Sequence, residues 1–344
     1  MKPSPPPVPR KALVLLSGGL DSTLAARILQ EQGIDLHAIH FTSPFCTCSH
    51  NGKGNGGCRS QAQIVASRMG IPLRTVSKGE EYLEIVKSPR HGRGSAMNPC
   101  IDCRIFTLRK AREYMEEIGA SFLVTGEVVG QRPMSQRDDA LRSIERHSGC
   151  PGLVLRPLSA GHLPPTVPER EGWVDRERLL SITGRSRKEQ IRLADSLGIG
   201  DYPCPAGGCL LTERGFSVKV RDLLAHDPAF GMHDVHLLKT GRHFRVRGIK
   251  AIVGKSEAEN RRLEALCAGR ETVYISHSHP GPSVALSGGS EAERLDLLSR
   301  ILTRYSKAEM PGPFLVREVS PGAERAVTVP ENPDFQEVER GLLC

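Results

Sequence analysis

Short apolar runs alternate with helix-like stretches over the first 160 residues. The apolar runs are short enough for buried strands and lie at 13–16, 34–41, 73–76, 121–126 and 154–158. Stretches with helical periodicity separate them, at 23–29, 61–69, 80–87 and 101–118. Strands that alternate with helices at this spacing predict a parallel sheet with right-handed crossovers. We therefore expect an α/β fold for this part of the chain.

The connection after the first strand has a distinctive composition. The motif that follows the strand is Ser17-Gly18-Gly19-Leu20-Asp21-Ser22. Glycines tolerate positive φ, and backbone N–H groups at a helix N-terminus bind anions. Neither the Lys-Ser/Thr of a Walker A loop nor a Gly-x-Gly-x-x-Gly fingerprint is present. The motif predicts a phosphate-binding turn of another kind, and the alternative is a glycine-rich surface turn.

The ends of two further strands are predicted to share this site, because ligands bind at the carboxyl ends of parallel strands. Phe41 ends the second strand and Gly126 ends the fourth. The Phe41 side chain is equally consistent with ordinary core packing. The loop after Gly126 is rich in hydrogen-bond donors that suit phosphate or a base, or that simply lead into a surface helix: Gln131, Arg132, Ser135, Gln136 and Arg137.

Three cysteines carry the second candidate site. Cys100 and Cys103 have Cys-x-x-Cys spacing at the start of a helix, where thiolates are stabilised and two ligands of one metal or cluster can lie. Cys209 follows two glycines that leave its sulfur accessible. Three thiols leave one metal position open for chemistry, whereas Cys204 as a fourth ligand would make a closed zinc site. The alternative is that these thiols are structural.

A weaker set of ligand-type residues lies between the second strand and the second helix: Cys46, Cys48, His50 and Cys58. The Cys-x-Cys spacing is tighter than the usual two-residue gap of zinc sites. A small zinc site and a lid with incidental thiols remain alternatives for this insertion.

Bulk composition narrows the class of protein. The chain has 344 residues, of which 38% are hydrophobic, and a net charge of +8. These values indicate a soluble protein of two or three domains, and no apolar run approaches the roughly 20 residues of a membrane span. Residues 1–10 contain five prolines and predict a disordered leader rather than a signal peptide, so we expect a cytoplasmic location. The positive charge, including the basic run at 184–188, suits RNA or a solvated surface.

The C-terminal region changes character after about residue 230. We predict short strands at 235–238, 243–246, 251–253 and 272–275, and helices at 256–267 and 290–305, the last element. Basic residues concentrate among these strands. The predicted organisation is a leader (1–10), an α/β domain with the phosphate-binding turn (11–160), a helical and loop segment with the third cysteine (161–228) and a small basic α+β domain (229–344).

Residues 11 to about 225 resemble the tRNA thiolation branch of the PP-loop ATP pyrophosphatase superfamily, most closely the tRNA 2-thiouridine synthases. The motifs that carry the resemblance are Ser17–Ser22, Asn98–Cys103 and Cys209. It implies an adenine nucleotide alpha hydrolase-like, Rossmann-like domain that uses ATP and Mg²⁺, with RNA as partner. The implied nucleotide-binding residues are Ser17, Gly18, Gly19, Asp21, Ser22, Phe41 and Gly126, with Asp21 also placing the metal or the phosphates.

The resemblance also implies how sulfur is handled. Cys100, Cys103 and Cys209 match cysteines that hold a [4Fe-4S] cluster in cluster-dependent enzymes, where the fourth iron binds the sulfur. In cluster-free relatives one thiol carries a persulfide and another resolves it, and zinc is a further alternative for the same thiols. The implied reaction is adenylation of a uracil carbonyl oxygen, followed by displacement of AMP by sulfur.

Two other hypotheses remain at the level of sequence. One is a PP-loop enzyme that transfers sulfur or nitrogen to an adenylated small molecule. The other is a metal-stabilised RNA-binding protein without activity, in which the PP-loop is vestigial. The insertion around Cys46–Cys58 and the C-terminal domain depart from the family pattern, so the sequence does not identify the modified base. It also does not identify the sulfur donor or the oligomeric state.

Overall fold

A computed structural model describes residues 10–47, 57–200, 208–268, 272–276, 280–306, 314–318, 324–327 and 335–343. The predicted leader lies outside these residues except for Arg10. The chain divides into two compact units, Met1–Thr212 and Glu213–Cys344. Within the described ranges, no helix is long and apolar enough to cross a membrane.

The first unit is built on a five-stranded sheet in the order β3-β2-β1-β4-β5, in which every pairing is parallel. Its strands are β1 (Lys11–Leu15), β2 (Asp35–Thr42), β3 (Leu73–Ser77), β4 (Phe122–Val124) and β5 (Val154–Leu155). Its helices are α1 (Leu20–Gln30), α2 (Gly57–Met69), α3 (Gly79–Lys87), α4 (Cys100–Glu117), α5 (Asp138–Ser148), α6 (Val167–Arg170) and α7 (Lys188–Ser196). The predicted α/β fold with a parallel sheet is confirmed.

Alternation along β1 gives the sheet two buried faces. Ala12 and Val14 pack in one apolar cluster together with Leu24 of α1 and Ala194 of α7. Leu13, in contrast, packs on the opposite face in a cluster with residues of α4 and α5. Successive strand residues point to opposite faces, so a continuous apolar run is what a strand covered on both sides requires.

The second unit is an antiparallel seven-stranded sheet in the order β11-β10-β8-β9-β7-β6-β12. In chain order its elements are α8 (Arg214–His226), α9 (Met232–Leu238), β6 (Arg242–Val246), β7 (Ile249–Val253), α10 (Glu257–Cys267), β8 (Thr272–Ser276), β9 (Val284–Ser287), α11 (Glu291–Tyr305), β10 (Phe314–Glu318), β11 (Glu324–Val327), α12 (Phe335–Arg340) and β12 (Leu342–Leu343). Helices cover the sheet through apolar clusters on both faces. The predicted second domain of α+β type is confirmed.

One predicted strand of this unit is wrong. Residues 235–238 belong to helix α9, which begins where the Asp234 carboxylate accepts a hydrogen bond from Gly231 N at 3.0 Å. A run of four residues is too short to distinguish the two-residue period of a strand from the 3.6-residue period of a helix. The helix at 290–305 exists as α11, but it is not the last element, because two strands, α12 and β12 follow it.

Candidate nucleotide and thiol site

The turn between β1 and α1 is preorganised by its own side chains. The Ser17 and Ser22 hydroxyl oxygens lie 3.0 Å apart, and the Ser22 hydroxyl donates to Gly19 O at 3.0 Å. Gly18 has a φ of +77°, and a Cβ there would lie 2.6 Å from Ala62 N. Glycine is therefore required at this position both by conformation and by space. The turn Ser17–Ser22, here named the anion cradle, thus has its backbone at the N-terminus of α1, a geometry that suits an anion.

Gly126 lies directly against this cradle. A Cβ on Gly126 would lie 2.4 Å from Asp21 C and 2.5 Å from Ser22 N. The structure thus brings the end of β4 and the turn together, as the sequence predicts. The Phe41 side chain packs with the apolar cluster on the α4 face of the sheet, which is the core packing that the sequence left as an alternative.

One carboxylate oxygen of Asp21 makes long polar contacts, and the other has no hydrogen-bond partner among the described residues. Its Oδ2 accepts from Gln131 Nε2 at 3.2 Å and lies 3.6 Å from Arg187 Nη2. Its Oδ1 is buried and has no hydrogen-bond partner among the described residues. A buried carboxylate oxygen without a partner beside an anion cradle fits a Mg²⁺ ion that accompanies ATP phosphates. This donor set therefore fits the nucleotide and metal that the resemblance implies.

Two loops are joined so that Gln131 and Arg187 reach Asp21 together. Val129 O accepts hydrogen bonds from Gly184 N at 2.7 Å and from the Thr183 hydroxyl at 3.0 Å. These bonds tie the loop after β4 to the segment before α7. From the sequence, Gln131 belongs to a donor-rich loop and Arg187 to a basic run. No sequence pattern predicts that either residue contacts Asp21.

The Cys103 sulfur is the most strongly activated thiol of the described site. It accepts a hydrogen bond from Lys78 Nζ at 3.0 Å and another from the Tyr82 hydroxyl. Burial raises the pKa of Cys103, but the Lys78 ammonium and the two hydrogen bonds outweigh it and hold the pKa below its ordinary value. Lys78 is itself only 9% exposed. Neither Lys78 nor Tyr82 was a candidate from the sequence.

The other two thiols of the predicted set are kept protonated. Burial raises the pKa of Cys209 to about 12, and the charges of Cys103 and Cys100 act in the same direction. Burial also raises the pKa of Cys100, although Asn98 Nδ2 donates to its sulfur at 3.1 Å. The three sulfurs are thus near enough to interact electrostatically, and Cys103 is the one of the three whose pKa is lowered.

The arrangement of these thiols bears on whether they could hold a metal ion. Across the described ranges, no three side chains of His, Cys, Asp or Glu form a group that could hold one. Lys78 and Tyr82, moreover, bond to the Cys103 sulfur. Cys48, His50 and Cys204 lie outside the described residues, as does the side chain of Cys58. The three thiols as placed do not form a ligand group that fits a zinc ion or an iron–sulfur cluster.

Buried charges connect the two halves of the site. Glu127, next to Gly126, is 2% exposed and bonds to Arg104 of α4 at 2.7 Å and to Arg156 at 3.0 Å. Between the two cysteines of α4, Asp102 accepts from His91 N at 2.9 Å and pairs with its Nδ1 at 2.8 Å. The start of α4 is therefore anchored on both sides. The partners are distant in sequence, so no local pattern predicts them.

Comparison with known proteins shows which proteins this chain resembles. Residues 10–147 match the family model described as the tRNA methyl transferase HUP domain. Over 343 residues, the chain is 28% identical to the tRNA-specific 2-thiouridylase MnmA of Proteus mirabilis (strain HI4320), with 88% of this chain and 85% of the relative covered. The first unit is similar to the PP-loop domains of the tRNA thiolation branch. The predicted resemblance is confirmed.

Two solved structures and a second family model complete the comparison. A 4-thiouridine synthetase–RNA complex with bound ATP has a TM-score of 0.38 and 22% identity, over 67% of this chain and 52% of that one. The U34-tRNA thiolase NcsA from Methanococcus maripaludis, with its [4Fe-4S] cluster, has a TM-score of 0.30 and 18% identity, over 66% of this chain and 69% of that one. Residues 241–336, outside the PP-loop domain, match the model described as the NFACT protein RNA binding domain.

Proposed function

We propose that the chain is an ATP-dependent sulfurtransferase that thiolates a uridine of tRNA in the cytoplasm. One observation carries the proposal: the first unit holds both the Ser17–Ser22 turn with Asp21 and, at the start of α4, a Cys103 sulfur that accepts a hydrogen bond from Lys78. These are the two functions that thiolation requires, activation of an oxygen and delivery of sulfur. The similarity to a tRNA-specific 2-thiouridylase supports tRNA as the substrate.

The first half of the reaction uses the cradle. The backbone N–H groups of Ser17–Ser22 hold the phosphates of ATP, and Asp21 Oδ1 is placed for the accompanying Mg²⁺. ATP supplies an adenylyl group, which turns the uracil carbonyl oxygen into a leaving group. Arg187 and Gln131, which lie beside Asp21, provide donors for the phosphates as charge develops there.

The second half uses the thiols, and we propose a persulfide rather than a cluster as the sulfur carrier. The Cys103 thiolate attacks the persulfide of a donor, takes its outer sulfur and releases the donor thiolate. The new outer sulfur attacks the adenylated carbon and AMP leaves. Cys209 then attacks the Cys103 sulfur, which forms a Cys103–Cys209 disulfide and releases the thiouridine, with the Cys209 proton passing to the base. Lys78 favours the thiolate that begins this sequence.

The second unit is proposed to hold the tRNA. Its cations lie close enough to act on one another: burial and the charge of Lys255 lower the pKa of Lys219 to about 8. Burial and the charges of Lys239 and Arg262 likewise lower the pKa of His236. Concentrated positive charge attracts the phosphate backbone of nucleic acids. The match to an RNA-binding family model over residues 241–336 supports the same role.

The experiment that tests the ATP step measures products. Incubation with ATP and unmodified tRNA is expected to yield AMP and pyrophosphate, with no AMP when tRNA is left out. ADP and phosphate would contradict adenylation. AMP formation driven by a small acid or amide, with tRNA inert, would favour the small-molecule hypothesis. Absence of ATP turnover together with tight tRNA binding would favour a binding protein.

A second experiment separates the sulfur carriers. Iron, acid-labile sulfide and zinc are measured in anaerobically purified protein, beside Cys100→Ala, Cys103→Ala and Cys209→Ala. The persulfide mechanism predicts no stoichiometric metal. About four iron and four sulfide per chain, lost in each variant, would replace it with a [4Fe-4S] mechanism. One zinc per chain would assign the same thiols a structural role.

A further inference from the structure

A fourth cysteine is paired through its backbone with Cys209. Cys46 follows β2, and it forms an isolated antiparallel bridge with Cys209. The hydrogen bonds lie on either side of the two residues: Leu210 N donates to Phe45 O at 2.8 Å, and Thr47 N donates to Gly208 O at 3.1 Å. Cys46 and Cys209 are therefore opposite each other as a non-hydrogen-bonded pair.

This register brings the two sulfurs into the range of a disulfide. In a non-hydrogen-bonded antiparallel pair the Cα atoms are about 4.5 Å apart, and the side chains lie on the same side of the ladder. Disulfides form at Cα separations of about 4.4–6.8 Å. Neither cysteine is in a disulfide in the structure. The backbone register of this pair is therefore compatible with a disulfide.

The pairing is held firmly by its surroundings. The Thr47 hydroxyl donates to Gly208 O at 3.0 Å and accepts from Gly208 N at 2.9 Å. Phe45 is 1% exposed and its ring lies 6.2 Å from that of Tyr82, the residue that donates to Cys103. Phe45 therefore packs against the residue that bonds to Cys103, while the neighbouring Cys46 is paired with Cys209.

We propose that Cys46 is a second resolving thiol, which replaces Cys103 as the disulfide partner of Cys209 after each sulfur transfer. This inference rests on the proposed function. The Cys46 sulfur, as a thiolate, attacks the Cys209 sulfur of the Cys103–Cys209 disulfide. The Cys46–Cys209 bond forms, the Cys103–Cys209 bond breaks, and Cys103 leaves as a thiolate. The exchange involves no net oxidation, and a dithiol reductant then reduces the Cys46–Cys209 disulfide while it is itself oxidised.

The direction of the exchange follows from the contacts of Cys103. The better leaving group in a thiol–disulfide exchange is the sulfur whose thiolate is more stable. Cys103 has the Lys78 ammonium 3.0 Å from its sulfur, so the departing thiolate is stabilised where it forms. The relay restores the Cys103 nucleophile for the next turnover and leaves Cys46 and Cys209 as the oxidised pair.

The test follows turnover number and disulfide partners in the full-length protein. The variant is Cys46→Ser, and the control is Cys150→Ala, a buried cysteine on the α4 face of the sheet. We expect Cys46→Ser to thiolate tRNA normally in a single turnover, and to slow at least tenfold in later turnovers. Peptide mapping after one turnover without reductant should give Cys46–Cys209 in wild type and Cys103–Cys209 in the variant.

Two outcomes would overturn the relay: a Cys103–Cys209 disulfide in wild type, or multiple turnover by Cys46→Ser at the wild-type rate. Failure of thiolation in wild type would instead reject the proposed function. The pairing is tested even then by mild oxidation of the resting protein with diamide. Cys46–Cys209 is the bond expected, whereas a bond from Cys209 to Cys100 or Cys103 would reject the assignment of Cys46.

Discussion

The Lys78 ammonium lies 3.0 Å from the Cys103 sulfur, although the two residues are 25 positions apart. Lys78 directly follows β3, and Cys103 lies in the first turn of α4. The contact that lowers the pKa of Cys103 therefore forms only when the sheet is folded. A buried lysine and a hydroxyl on one cysteine sulfur are the arrangement expected of a nucleophilic thiol.

Replacing Lys78 should raise the pKa of Cys103. In Lys78→Met the burial that raises this pKa is no longer opposed by the ammonium, so the pH at which iodoacetamide labels Cys103 should move upward. Lys78→Arg should restore part of the lowering. The control is Lys110→Ala, on the same helix as Cys103 but bonded to Glu81 and Glu113. An identical labelling profile in Lys78→Met and wild type would contradict this role.

A methyl group at Gly126 should abolish nucleotide binding. The Gly126→Ala Cβ would lie 2.4 Å from the backbone of Asp21, so the turn must shift and its N–H groups lose their alignment. Gly200→Ala is the matched control, because a Cβ there meets nothing within 4 Å. ATP affinity by isothermal titration is expected to fall at least tenfold in the first variant and to stay unchanged in the second. Equal affinities would argue against close packing at the cradle.

The buried charge network should carry much of the stability of the first unit. Arg156→Met leaves Glu127 with a single guanidinium, and removing one partner of a buried ion pair costs about 3–5 kcal/mol. Arg74→Met removes an exposed pair with Glu117 and should cost about 0–1 kcal/mol. Urea unfolding of both variants measures the difference. Equal free energies of unfolding would show that the network contributes little.

The same network predicts an acid dependence. Burial raises the pKa of Glu127, but Arg104 and Arg156 outweigh this effect and hold the pKa below its ordinary value in the folded state. A carboxylate whose pKa is lower in the folded than in the unfolded protein stabilises the folded state. This contribution is complete above the unfolded pKa of about 4.3 and is lost as the pH falls through the folded pKa. Glu127→Gln should therefore flatten the loss of wild-type stability below that pH. An unchanged slope would assign the acid sensitivity to other groups.

The cations of the second unit should govern tRNA affinity. The variants are single alanine substitutions of Lys239, Lys255 and Arg262. Each lost phosphate contact should reduce the slope of log affinity against log salt concentration by about one. Arg247→Ala serves as control, since this guanidinium is bonded to Glu337 at 2.6 Å. Filter binding over a range of salt concentrations gives the slopes. An effect of Arg247→Ala as large as that of Lys255→Ala would contradict a specific surface.

Local patterns accounted for the parts of the site that lie within one stretch of chain. The strand, the Ser17–Ser22 turn and the first helix are consecutive, and the helix at Cys100 begins after a proline, so periodicity and turn chemistry suffice. The contacts of Lys78 with Cys103, and of Cys46 with Cys209, depend on tertiary packing. No pattern within one segment encodes them. The false strand at 235–238 shows the same limit at short range, because four residues do not define a period.

The central claim is tested most directly by nucleoside analysis of tRNA. Unmodified tRNA is incubated with the full chain, ATP, Mg²⁺ and a persulfide donor, then digested and examined by mass spectrometry, with AMP measured in parallel. A thiolated uridine and one AMP per sulfur are expected, and Cys103→Ala should form neither the thiouridine nor its persulfide precursor. Uridine that stays unmodified while ATP is consumed, or thiolation without ATP, would contradict the account.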